Sequence, residues 1–227
     1  MVDVMAQRFT EDLRGSAAHI WQRQHDHPFV RGIGEGSLPL EKFTFWVRQD
    51  YLFLIEYARL LALATARSPE WDTLRRFSRL LTATVDEEMS LHCRCAQRLG
   101  IGVEKLQRES KAPTTQGYTD FLVRVAATGD FAELVSALLP CMWGYSELGQ
   151  RLAKGPRPRR PEYAEWIDMY ASSGFAELAE WCCGLLDCLA AGVSSFQRDR
   201  LQAVFFTSSR YELRFWDMAW NMESWPL

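Results

Sequence analysis

Apolar side chains return every three or four residues over most of this chain, the spacing of helices that bury one face. The segments carrying that period are 40–66, 71–99, a stretch near 118–127, Phe131–Leu152, Pro161–Tyr170, 175–191 and 194–220. Gly and Pro gather between them, at 27–39, 100–102, 112–117, 154–161 and 172–174, where they break helices or turn the chain. Ser37-Leu38-Pro39 and Ser68-Pro69-Glu70 precede the first two segments and read as caps with Pro in the first turn. Thr128-Gly129-Asp130 separates the third from the fourth. No run alternates with period two, and no internal repeat is visible. The pattern predicts one all-α domain over 1–227, a bundle of roughly six to eight helices.

Composition narrows the class. The 227 residues are 48% hydrophobic and 24% charged, which favours a folded globular chain over disorder. Basic and acidic residues number 26 and 29, for a net charge of −3. That leaves no basic excess to neutralise phosphates and disfavours a nucleic-acid partner. The basic stretch 154–160, with Lys154, Arg157, Arg159 and Arg160, reads as a solvated loop rather than an anion site. The two most apolar runs, 51–66 and 181–193, are interrupted by Glu56 and Arg59 and by Asp187, so neither is expected to span a bilayer. Residues 1–12 carry Asp3, Glu11 and Asp12 and no apolar run, unlike a signal peptide, so a cytoplasmic setting is expected. The six cysteines form no C-x-x-C pair and read as free thiols, mostly buried.

Nine tryptophans and 13% aromatics suggest a thick core or a pocket walled by rings. Three places then carry candidate chemistry. Asp50, Phe53, Leu54 and Tyr57 stand at i, i+3, i+4 and i+7 and share one helix face that is otherwise apolar. A carboxylate there needs a partner, either an arginine of another helix or a donor-rich ligand. In Leu138-Leu139-Pro140-Cys141-Met142-Trp143-Gly144-Tyr145 the proline sits inside a helical pattern, where it removes an N–H and is expected to kink the helix and re-aim Cys141. Cys141 is then either a structural thiol beside Tyr145 or a nucleophile; Cys93, Cys95, Cys182, Cys183 and Cys188 read as structural. Glu212 shares a face with Phe215, Trp216 and Ala219, a setting that raises a carboxyl pKa and suits a proton donor, or else holds a structural pair. Glu88 and His92, at i and i+4, lack the second Glu-x-x-His that a di-iron bundle site requires. They read as a hydrogen-bonded pair on a helix surface, and no metal is expected.

In order and spacing, several of these segments resemble one family. They are His27-Pro28-Phe29-Val30, Gly32-Ile33-Gly34-Glu35-Gly36 with Leu38-Pro39, Gln49-Asp50-Tyr51, the block 138–145, Trp166-Ile167 with Tyr170, and Ser208-Ser209 through Glu212, Phe215 and Trp216. The chain resembles TenA/thiaminase II proteins from about residue 9 to Trp225, and the Pro-Cys-x-Trp block is similar to their cysteine-type branch. The resemblance implies an all-α fold like that of haem oxygenase, without haem. It implies hydrolysis of aminopyrimidines from thiamin breakdown to the hydroxymethyl pyrimidine and ammonia, with thiamin itself a poorer substrate. It implies no cofactor and a homotetramer.

Residue by residue, it places the nucleophile on Cys141 and the acid/base on Glu212. The pyrimidine-holding carboxylate falls on Asp50, and the tyrosines around the ring on Tyr118, Tyr145 and Tyr170. The position three after the aspartate is often Tyr in such proteins and is Phe53 here, which keeps a stacking face and drops one hydroxyl. The chemistry is coherent. A carboxylate matches the amidine-like edge of an aminopyrimidine with two charge-assisted hydrogen bonds, rings take its flat faces, and a thiol adding to an electron-poor ring carbon expels an amine that an acid must protonate. A pyrimidine-binding protein without turnover, or a metal-dependent oxidase on the same scaffold, are the alternatives.

Overall fold

The computed structural model describes residues 8–226; the reading of the N-terminus falls partly outside them, at residues 1–7. Every described element is helical. Three short helices, α1 (Phe9–Ser16), α2 (Ala18–His25) and α3 (Pro28–Glu35), lead into the long α4 (Leu40–Arg67). Then come α5 (Trp71–Ala83), a π-helical turn (Thr84–Glu88), α6 (Met89–Arg98), α7 (Val103–Gln107) and α8 (Pro113–Thr128). The chain ends with α9 (Phe131–Leu152), α10 (Pro161–Tyr170), α11 (Ser173–Leu189) and α12 (Ser195–Asn221).

The long helices lie where the apolar period places them, but their count exceeds six to eight. Residues 27–39 do not simply break the chain, since Pro28 opens α3, whose fixed φ suits a first helical position. Pro113 opens α8 in the same way, so that helix begins five residues before the predicted start. The segment 71–99 is not one α-helix. It widens into the π turn between α5 and α6, a form found mostly as single turns and often at functional sites. Neither predicted serine cap forms: Ser37 Oγ donates to Glu35, and Ser68 Oγ donates back to the Ala64 carbonyl at the end of α4. By contrast, Asp130 with Glu133 and Ser194 with Gln197 close capping boxes on α9 and α12.

Helix α9 is the central element, packed by α8, α10, α11 and α12, while α4 runs beside α5, α6, α8 and α12. One hydrophobic core runs through all of them, with Trp21, Trp46, Trp166 and Trp216 among its largest wholly buried side chains. Helix α9 continues through Pro140 without interruption. At Gly149 a Cβ would stand 2.4 Å from the Tyr170 carbonyl carbon, so only glycine lets the end of α10 touch α9 there. One turn earlier on α9 is Tyr145, whose ring lies 4.9 Å from that of Tyr170. The close approach thus brings two helices' tyrosines together. No described helix is long and apolar enough to cross a membrane.

Candidate active site

The α4 face of Asp50, Phe53, Leu54 and Tyr57 closes a small cavity with Glu88 of the π turn, Cys141, Met142 and Tyr145 of α9, Tyr170 of α10 and Phe175 of α11. The cavity measures about 10 Å³, room for roughly one water. An outer chamber of about 520 Å³ lies against it, and the two share Glu88, Met142 and Phe175 as their common wall. Of the seven candidate residues, Asp50, Phe53, Cys141, Tyr145 and Tyr170 line the inner cavity. Tyr118 and Glu212 stand behind it and do not line it.

Asp50 is buried, as its apolar face requires, but its partner is not an arginine. His92 Nε2 lies 2.6 Å from Asp50 Oδ2, an off-axis contact rather than a well-aligned hydrogen bond. The other ring nitrogen, Nδ1, is 2.9 Å from the Glu88 carbonyl oxygen. A carbonyl only accepts, so Nδ1 carries a proton; two lone pairs do not face each other at 2.6 Å, so Nε2 carries the second proton of His92, held beside the Asp50 oxygen. Burial alone would lower the His92 pKa, but Asp50 beside it, with Glu88, raises it. The reading of Glu88 and His92 as a surface pair is therefore corrected: His92 is buried and bonds the backbone of Glu88, not its carboxyl. The Glu88 carboxyl instead accepts from Tyr170 Oη at 2.8 Å. Burial pushes its pKa up to about 7 against the opposing influence of His92. No cluster of three or more His, Cys, Asp or Glu suited to a metal occurs among the described residues.

The neighbouring Gln49 carries no chemistry but holds α4 still. It donates to the Ser110 carbonyl at 3.0 Å and accepts from Ala112 N and Thr115 Oγ1, each at 2.8 Å.

Behind Cys141, α12 supplies Glu212 and Ser208. Tyr118 of α8 hydrogen-bonds Glu212 Oε1 and lies 3.0 Å from Ser208 Oγ, which donates to the Ala137 carbonyl at 2.6 Å. Burial pushes the Glu212 pKa up to about 8. The Tyr118 hydrogen bond opposes that rise, the charge of Asp50 adds to it, and a hydrogen bond with Cys141 opposes it. The Cys141 thiol is half-buried by exposure, yet burial among acids pushes its pKa well up, with Glu212, Glu88 and Asp50 all contributing. At neutral pH it is a thiol and not a thiolate.

Rings hold these groups in place. Phe53 stacks on Tyr57 (5.7 Å, 18°) and packs on Tyr118 and Phe215, while Tyr145 packs on Trp166, Tyr170 and Trp216. The remaining thiols do not all fit the structural reading. Cys95, Cys182 and Cys183 are buried, but Cys93 is half-buried and Cys188 is exposed.

The sequence reading missed Tyr57 and Ser208 as site groups and misplaced Glu88 and His92. For Tyr57 the signal was present, since it sits on the Asp50 face; for His92 it was the burial of α6, which spacing alone does not reveal.

A family model described as TENA/THI-4/PQQC matches residues 14–222. The chain is 46% identical over 218 residues to an aminopyrimidine aminohydrolase of Halalkalibacterium halodurans, covering 96% of this chain and 97% of that one. Among solved structures, a TenA homologue from P. horikoshii superposes with a TM-score of 0.87 at 30% identity, over 95% of this chain and 99% of that one. A protein from Shewanella denitrificans with a heme oxygenase-like fold superposes with a TM-score of 0.72 at 15% identity, over 94% and 92%, a likeness of fold alone.

Proposed function

The chain belongs to the TENA/THI-4/PQQC family, and from that premise we propose that it is an aminopyrimidine aminohydrolase of thiamin metabolism. It replaces the amine on the 5-methylene of an aminopyrimidine by hydroxyl, and the chain acts as one domain over 1–227. The observation that carries the reading is the placement of Cys141 on the wall of a ring-lined cavity, with Glu212 behind it as a buried carboxyl whose pKa burial pushes up to about 8.

In this reading Asp50 takes the amidine-like edge. The exocyclic amine donates to the carboxylate, and the proton that His92 Nε2 holds beside Asp50 serves the ring nitrogen. The ionised fraction of Glu212 accepts the Cys141 proton as sulfur adds to an electron-poor ring carbon. Glu212 then gives that proton to the leaving amine, and ammonia departs from the methylene. Water adds to the methide, its proton goes to Glu212, and the sulfur leaves as thiolate and is reprotonated. Net, one water is consumed and one ammonia released, and the protons of the sulfur, the leaving amine and the water all pass through Glu212.

A homotetramer, a cytoplasmic setting and the absence of a nucleic-acid partner belong to the same reading. The test is turnover of three substrates by the purified protein: the 5-aminomethyl pyrimidine, its N-formyl derivative and thiamin. Ammonia release from the first supports the assignment, and no turnover of any of the three overturns it.

A further inference from the structure

Tyr57 is a buried polar side chain whose hydroxyl has no partner. It lies one helical turn after Phe53 on α4, is only 2% exposed, and lines the same inner cavity as Cys141 and Glu88. Three other buried tyrosines each satisfy their hydroxyl. Tyr118 bonds Glu212, Tyr163 donates to the Leu38 carbonyl, and Tyr170 donates to Glu88. The Tyr57 hydroxyl makes no such bond. An unpaired buried hydroxyl is costly and calls for an explanation. The ring itself is well placed, stacked nearly parallel on Phe53, so the orphan is not a sign of loose packing. Phe53 has no hydroxyl, which leaves Tyr57 as the phenol on this stretch of α4 that faces the cavity.

Its position along the cavity is also informative. Tyr57 lines the inner cavity together with Cys141 and Glu88, and Glu88, Met142 and Phe175 form the wall shared with the outer chamber of about 520 Å³. In the aminohydrolase reading Cys141 adds to the ring and the 5-substituent leaves, so both act within the cavity that Tyr57 lines.

We propose that Tyr57 is a specificity residue whose hydroxyl hydrogen-bonds the polar leaving substituent of the aminopyrimidine, favouring amine and amide leaving groups over a quaternary one. The inference rests on the aminohydrolase reading and names the part of the substrate that the reading leaves open. A phenol donates to an amide carbonyl or a neutral amine and accepts from an amine N–H. The quaternary nitrogen of a thiazolium has neither a hydrogen nor a lone pair to offer, so thiamin gains nothing there. A site built to hydrogen-bond one substrate discriminates against the analogue that cannot return the bond.

The experiment compares Tyr57→Phe with the wild-type protein on the 5-aminomethyl pyrimidine, its N-formyl derivative and thiamin. The readout is the ratio of kcat/KM for each of the first two to that for thiamin. The expected result is a fall of about tenfold in both ratios, the size of one good hydrogen bond, with a melting temperature equal to or above wild type. A uniform loss on all three substrates, with the ratios unchanged and the melting temperature lowered, overturns the proposal in favour of a structural role. Unchanged ratios with unchanged stability overturn it as well. A wild-type protein that turns over none of the three fails at the earlier step and overturns the aminohydrolase reading instead.

Discussion

Replacing Glu212 by Gln should make the protein more stable while stopping its chemistry. The amide keeps the shape of the protonated carboxyl and still accepts from Tyr118. In the fold, burial holds the Glu212 proton up to about 8, against an ordinary value of 4.5. Between those values the folded state binds more protons than the unfolded chain, so stability falls as pH rises. Integrated over the window, the buried acid costs about 1 kcal/mol at pH 5 and about 4 kcal/mol at pH 8. Glutamine removes that cost. The gain of Glu212→Gln over wild type should therefore grow by about 3 kcal/mol from pH 5 to pH 8, or roughly 6–12 °C in melting temperature for a chain of this size. Urea unfolding at half-unit steps of pH measures it, alongside turnover, which should fall by about 10²–10⁴. A stability gain that is the same at pH 5 and pH 8 would refute the reasoning, because it would mean that Glu212 is already ionised in the fold.

Cys141→Ser should nearly abolish turnover while still binding the hydroxymethyl pyrimidine, and adding Glu212→Gln should make it little worse, since one missing member removes the pathway; a near-normal rate would leave Cys141 a bystander. Asp50→Asn should weaken product binding by about 1.5–3 kcal/mol, the loss of a charge-assisted bond, and calorimetry with unchanged affinity would reject the assignment. Ser208→Ala should cost about 1 kcal/mol in urea unfolding, since it removes the bond that Ser208 donates to the Ala137 carbonyl; an unchanged unfolding midpoint would show that this bond does not hold α12 against α9.

Periodicity carried the long helices because each buries one face, and α4, α9 and α12 begin within a residue of their predicted starts. It carried less where local chemistry competes with spacing. The π turn at Thr84–Glu88 leaves no trace in the apolar pattern, since one extra residue in a turn disturbs the period less than ordinary variation does. Pro28 and Pro113 read as breakers in a cluster, yet each opens a helix, where a missing N–H costs nothing. At the site, side chains sharing one helix face were legible, as with Asp50, Phe53 and Tyr57. Pairings across helices were not. Nothing in the spacing says that His92 of α6 meets Asp50 of α4, or that Tyr118 and Ser208 stand together behind Glu212. Those contacts depend on which faces meet, which is set by the packing of α4 and α9 against their neighbours.

The same packing explains why so many acids share one place. Burial raises the pKa of Glu88, Glu212 and Cys141, the charge of Asp50 adds to the rise of each, and His92 is the base that lies against Asp50. The proton on His92 offsets the charge of Asp50 in part, and the remaining acids keep their protons because burial disfavours their charged forms and Asp50 repels a second charge. In the proposed reaction the proton that His92 gives up goes to the ring nitrogen, so the net charge beside Asp50 does not change. What changes is where the positive charge sits: it moves from His92 onto the ring that Cys141 attacks. The thiol is then easiest to ionise when that electron-poor ring lies beside it, and without the ring, burial keeps the sulfur protonated and slow in side reactions.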